Sequence, residues 1–152
     1  MNRIQGITLQ EKIKSLDFSI IIDKMVAHQG WMRADAEQTA ALYRNFLFLQ
    51  ARYPNKRLPP SEDVDEFWHN HILDTEHYIA SCDLIFGKYL HHYPYFGIDG
   101  KTNFNDLSDA FTETQQLHLE EFGTPIYQVR SWFDRLVSAV YLLFKIGTNR
   151  LK

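Results

Sequence analysis

Histidine is the residue type whose placement in this chain could do chemistry. Five of its seven histidines fall between positions 69 and 92: His69, His71, His91 and His92, with His77 among their neighbours Asp74, Tyr78 and Cys82. Neutral imidazole and carboxylate are good ligands for zinc or iron, and a metal site needs three or four such donors converging at about 2.0–2.2 Å. On this reading His69, His71 and Asp74 form the metal-ligand set, and His77, His91 or His92 completes the shell or serves as catalytic base. Tyr78, Cys82 and Tyr95 are the candidates to line a cofactor or ligand. An open coordination position would give Lewis-acid or water-activating chemistry with zinc, or oxygen chemistry with iron.

Geometry sets a condition on this ligand set. Residues two apart on a regular helix point about 200° from one another, so His69 and His71 converge only if the helix unwinds between Asn70 and Asp74. About fourteen helical residues, roughly 21 Å, would separate His77 from His91, so one site using all these side chains needs a bent hairpin or another element across it. The competing reading makes His69 and His71 packing and hydrogen-bonding residues beside Trp68 at a helix junction. A metal-free ligand pocket is a third. Cys82 suits a small buried hydrophobe on an aromatic face better than a nucleophile. Tyr93, Tyr95 and Phe96 in HYPYFG suit a pocket wall, a partner contact or a loop lid over the core.

The elements that must position these residues are helical. Leu16 to His28 carries Leu16, Ile20, Ile21 and Met25 at helical spacing, with Asp17 as a plausible N-cap and Gly30 as its stop. Arg33 to Tyr53 aligns Ala36, Ala40, Tyr43, Leu47 and Gln50, and Pro54 blocks its continuation. The segment PNKRLPP is an extended connector. Ser61, followed by Glu62 and Asp63, starts a helix whose first turn favours negative charge. That helix places Val64, Phe67, Trp68 and His71 on one face and Asp65, His69 and Ile72 on another. Asp74 or Thr75 then caps a second arm, Glu76 to Leu90, aligning Tyr78, Cys82, Ile85, Phe86 and Tyr89. Asp106 to Phe122 forms a further helix through Leu107, Phe111, Gln115 and Leu119, ending at Gly123. From Gln128 to Ile146, Trp132, Leu136, Val140, Leu143 and Phe144 make a broad apolar stripe. Arg130, Arg135, Lys145, Arg150 and Lys152 flank it, as in a core helix with snorkelling cations or, less favoured, a helix lying on a membrane surface.

Composition narrows the classes. At 152 residues, 45% hydrophobic and 23% charged, the chain is expected to be one globular domain. The net charge of −3 gives no positive field for phosphates, which argues against nucleic acid. The lone Cys82 and an N-terminus without a basic-then-apolar pattern point to a cytoplasmic location. The longest apolar run, Leu136 to Ile146, is about half the roughly 20 residues that span a bilayer, so no transmembrane segment is expected.

The stretch WHNHILDTEHYIASCDLIFGKYLHHYPYFG, with AALYRNFLFLQARYP and PPSEDVDEFWH before it, resembles the glycine-rich domain-containing protein-like family over roughly residues 25–97. That resemblance implies a short stand-alone module and marks His69, His71, Asp74, Tyr78 and Cys82 as its motif, without a substrate or mechanism. With only 7 glycines, the chain does not invite the roles of the longer plant members. The expected architecture is all-α, a single helical bundle over residues 1–152 built around the Ser61 to Leu90 hairpin, with its motif region at 59–97. The Arg33 to Tyr53 helix packs it and the C-terminal helix closes it. The expected function is a small intracellular metal-binding protein, with metalloenzyme chemistry open to it. The alternative is an interaction or scaffold module with structural histidines. Neither a small-molecule nor a protein partner is fixed by these residues.

Overall fold

The computed structural model describes the backbone of residues 7–149 and the side chains of residues 7–144; Arg150 and Lys152, and the side chain of Lys145, lie outside that description. The described residues form seven α-helices and no strand: α1 Leu9–Lys14, α2 Ser19–Gln29, α3 Arg33–Arg52, α4 Glu62–Leu73, α5 Thr75–Phe86, α6 Phe104–Phe122 and α7 Trp132–Asn149. The short α1 is held by a reciprocal cap, in which Thr8 Oγ1 accepts from Glu11 N and the Glu11 carboxylate accepts from Thr8 N at 2.7 Å. The same device starts α6, between Asn103 and Asp106. At α2 the helix begins at Ser19, whose N–H donates to Asp17 Oδ1 at 2.9 Å, so Asp17 supports the first turn from just outside the cap.

The long α3 is the central post, with α1, α2, α4 and α6 packed around it. Its buried face, Ala36, Ala40, Tyr43, Phe46 and Leu47, follows the three-and-four spacing of the sequence. Against it stand Phe18, Val64, Phe67 and Trp68, with ring centroids 5.4 Å apart for Phe18 and Phe67, 5.2 Å for Tyr43 and Phe67, and 5.1 Å for Phe46 and Trp68. Each such buried side chain contributes about 1.5–3 kcal/mol from its removal from water. This aromatic layer fixes which way α4 faces, and so where its histidines go.

Four details differ from the sequence expectation. Ile20 points to solvent, because Ile21 and Met25 already fill the narrow α2 contact. The second hairpin arm stops at Gly87, in the left-handed region at φ 65°, three residues before Leu90, which frees residues 88–103 to run as a loop. On α6 the buried side chains are Thr114, Leu117 and His118, one step around from Leu119, which is half exposed. The stripe on α7 faces outward, while Ser138, Arg135 and Leu142 turn toward the body, Ser138 Oγ donating to Gly30 O at 2.9 Å. The C-terminal helix therefore lies on the bundle without closing its core.

Gly30 ends α2 at φ 72°, and a Cβ there would come within 3.2 Å of Tyr141 Cδ1 and 3.3 Å of Ser138 Cα. Gly87 has the same hand and nothing within 4 Å. Both alanine variants incur the left-handed cost of about 1–2 kcal/mol. Gly30→Ala is expected to lose more than Gly87→Ala, because only it displaces α7. Thermal melts of the two measure the difference, and equal losses would mean that α7 is not seated on Gly30.

Candidate metal centre

Helix α4 separates its histidines by face. It is continuous from Glu62 to Leu73, and the chain breaks only at Asp74, with φ −85° and ψ 74°. His71 is on the inner face and fully buried, with Nδ1 2.9 Å from Tyr43 Oη and Nε2 3.3 Å from Ser81 Oγ. A neutral imidazole has one donor and one acceptor, and two rotatable hydroxyls satisfy both. His69, two residues earlier, points away to the half-exposed face. Asp74 reaches neither: its Oδ2 lies 3.9 Å from Nδ1 of His77. His69, His71 and Asp74 are thus not brought to one point, because the helix does not unwind between them.

Burial pushes the His71 imidazole down to about 3, with the neighbouring His77 ring, 4.8 Å away, adding to the effect. The unfolded chain binds this proton below about pH 6.5 while the folded chain refuses it. The resulting contribution to stability is complete above that pH and is lost as pH falls toward 3, at up to about 1.4 kcal/mol per pH unit. Urea midpoints of the native chain are expected to fall across this window and those of His71→Gln to fall less steeply. Parallel slopes would assign the acid sensitivity elsewhere.

The outer face of α4 assembles a different set. Asp65 and His69 are one turn apart, and Asp65 Oδ2 lies 3.4 Å from His69 Nδ1. From the loop after α5, His92 Nε2 comes 2.8 Å from Asp65 Oδ1. The two imidazole rings are 4.5 Å apart, and the ligand atoms of Asp65, His69 and His92 all lie within 4.8 Å of one another. A polar relay holds the loop in place: Trp68 Nε1 donates to Tyr78 Oη at 2.9 Å, and that hydroxyl donates to the carbonyl of Leu90 at 2.5 Å, two residues before His92. The His92 ring then packs 4.5 Å from that of Trp68.

Asp65 and His92 open on a cleft of about 450 Å3 whose wall includes Arg57, Trp68, His91, Tyr93 and Phe96. The Arg57 guanidinium sits 5.3 Å over Phe96 and 5.9 Å over Tyr93. His69 faces a second hollow, of about 570 Å3, between α4 and α7. Donors bound at about 2.1 Å to one ion lie roughly 3–4 Å apart. The 3.4 Å between Asp65 and His69 is in that range, and the 2.8 Å His92–Asp65 hydrogen bond has to open to admit an ion.

The other expected residues are placed as follows. His91 is exposed at the cleft, 4.8 Å from the Tyr89 ring. His77 is half-buried beside His71, on the opposite side of α4 from the cluster. Tyr78 is buried and acts through its hydroxyl on the loop. Cys82 is buried, and burial pushes its thiol up, as suits a packing residue. Tyr95 is exposed, with its ring 5.7 Å from Tyr93, and does not line the cleft. Asp65 was not among the expected ligands, although its Asp-x-x-x-His spacing with His69 is the one signal that puts a carboxylate and an imidazole on one helix face.

A second cluster was also hidden. Asp63, fully buried, accepts from the backbone N–H groups of Val129 and Arg130, each at 2.8 Å, and from Arg130 Nε at 3.0 Å. Arg130, in turn, donates to Glu66 Oε2 at 2.6 Å and lies 3.4 Å over the Trp31 ring. It is thus an internal ion-pair residue, not a snorkelling surface cation. Arg135 bonds Glu62 and Asp63.

Fold and cluster together define an all-helical protein that presents two imidazoles and a carboxylate on the outer face of its fourth helix. Residues 9–114 match the UCP032817-like family model, well over half of the chain, and the protein belongs to that family. This corrects the resemblance to the glycine-rich domain-containing protein-like family: the similar stretch lies inside the UCP032817-like match, and that resemblance no longer singles out His69, His71, Asp74, Tyr78 or Cys82. No curated protein and no solved structure matches the chain. No helix among the described residues is long and apolar enough to cross a membrane.

Proposed function

We propose that this protein binds a divalent transition metal, zinc or iron, through Asp65, His69 and His92, and presents it to a small molecule in the adjoining cleft. One observation carries the reading: a helix and a separately anchored loop each deliver an imidazole to the same carboxylate. Two histidines and one carboxylate suit either metal, and three protein donors leave coordination positions open. An ion held there would supply Lewis-acid polarisation or an activated water. The cleft's Arg57 and its aromatic wall fit a ligand with an anionic group and an apolar body. His91, exposed at the same cleft, is the candidate base.

The scaffold reading draws on a different observation. The His92 to Asp65 bond and the contact of His92 with Trp68 would clamp the loop to α4 with no ion present. Elemental analysis of tag-free protein separates the two. The metal reading expects close to one ion per chain, lost in a His69→Ala/His92→Ala variant that keeps its helicity. Native protein that carries no metal and takes up none on zinc or iron(II) titration would leave the clamp alone.

A further inference from the structure

Helix α7 turns its apolar side away from the protein. Trp132, Leu143 and Phe144 are 76%, 70% and 72% exposed, and Phe133, Leu136, Val137 and Val140 are all more than two-fifths exposed. A helix stabilised by its own bundle has the reverse arrangement, apolar side in. On the inner side Ser138 bonds Gly30 and Arg135 pairs with Glu62 and Asp63, with Leu142 as the half-buried apolar side chain beside them. These contacts fix the helix on the body and hold the stripe outward.

We infer that α7 is the self-association surface of this protein, and that a second copy of the chain covers it through the same helix. Phe133, Leu136, Val140 and Leu143 recur at intervals of three, four and three, the period of a two-helix seam, and Ser138 lies opposite that seam against the body. The same stripe on both partners is self-complementary under a two-fold axis. Weighted by ordinary side-chain areas, the seven exposed side chains offer on the order of 800 Å2, close to what each partner buries in a standard-size stable interface. A membrane surface fits less well. Interfacial helices set free cations beside their apolar face, whereas Arg130 is held in an internal ion pair, Arg135 is paired with Glu62 and Asp63, and the chain's net charge is −3. The helix lies beyond the 9–114 family match.

Sedimentation equilibrium of the full chain between about 1 and 100 μM tests this. The expected species has twice the 18.0 kDa chain mass. Leu136→Glu/Val140→Glu should raise its dissociation constant at least 100-fold with unchanged far-ultraviolet dichroism. Leu143→Glu/Phe144→Glu, nearer the helix end, should do the same and guards against a folding defect in the first variant. A native chain that stays monomeric at 100 μM overturns the inference, whether it floats with phosphatidylcholine vesicles or binds nothing. So does a dimer that both variants leave intact.

Discussion

Replacing Asp63 with alanine is expected to lower the stability of the fold by about 3–5 kcal/mol, the range for breaking a buried ion pair from one side. The size follows from what is stranded. Arg130 is 5% exposed at its side chain, and its remaining carboxylate partner, Glu66, is half in water. The backbone N–H groups of Val129 and Arg130 lose their acceptor in the same step. Asp63→Asn should fall between native and alanine, since the amide oxygen can accept but cannot neutralise the guanidinium. Urea denaturation gives the values; a loss below about 1 kcal/mol would mean that residues 123–131 are not anchored to the start of α4 as described.

The second large effect concerns metal affinity. His69→Ala and His92→Ala each remove one of three donors and are expected to weaken zinc binding by two orders of magnitude or more. Without metal, loss of the half-exposed His69 costs little in melting temperature, while His92→Ala also loses its bond to Asp65 and its contact with Trp68 and melts somewhat lower. His71→Gln should do the opposite: affinity within a few-fold of native, and a clear loss of stability because Tyr43 and Ser81 lose a well-placed partner. Isothermal titration with zinc, paired with thermal melts of the apo proteins, reads both quantities. Affinity loss confined to His71→Gln would reverse the assignment of the two faces.

Much of the scaffold was legible in the sequence. The spacing of Ala36, Ala40, Tyr43 and Leu47 specifies α3 and its buried side, and the same spacing puts Val64, Phe67, Trp68 and His71 on one buried face of α4. That grouping already implied that His71 faces inward and His69 outward. The ligand set His69, His71 and Asp74 needed an unwound turn, and the ladder of α4 runs unbroken to Leu73. The position of His92 could not be read locally: it depends on Gly87 ending α5 early and on the Trp68–Tyr78–Leu90 relay folding the loop back, both tertiary facts. The Asp63–Arg130 pair spans sixty-seven positions, a separation for which no periodicity gives a signal. On α7 the stripe was visible, but an apolar stripe does not say whether its partner is the same chain or another.

Histidine-ring NMR during zinc titration of the native protein at pH 7.5 reaches the central claim most directly. The rings of His69 and His92 should shift or broaden together and reach their endpoint at one equivalent, while His71 keeps its free-state signals throughout. Perturbation of His71 in place of His92, or drift of all exposed histidines with no endpoint at one equivalent, would contradict a centre built on Asp65, His69 and His92.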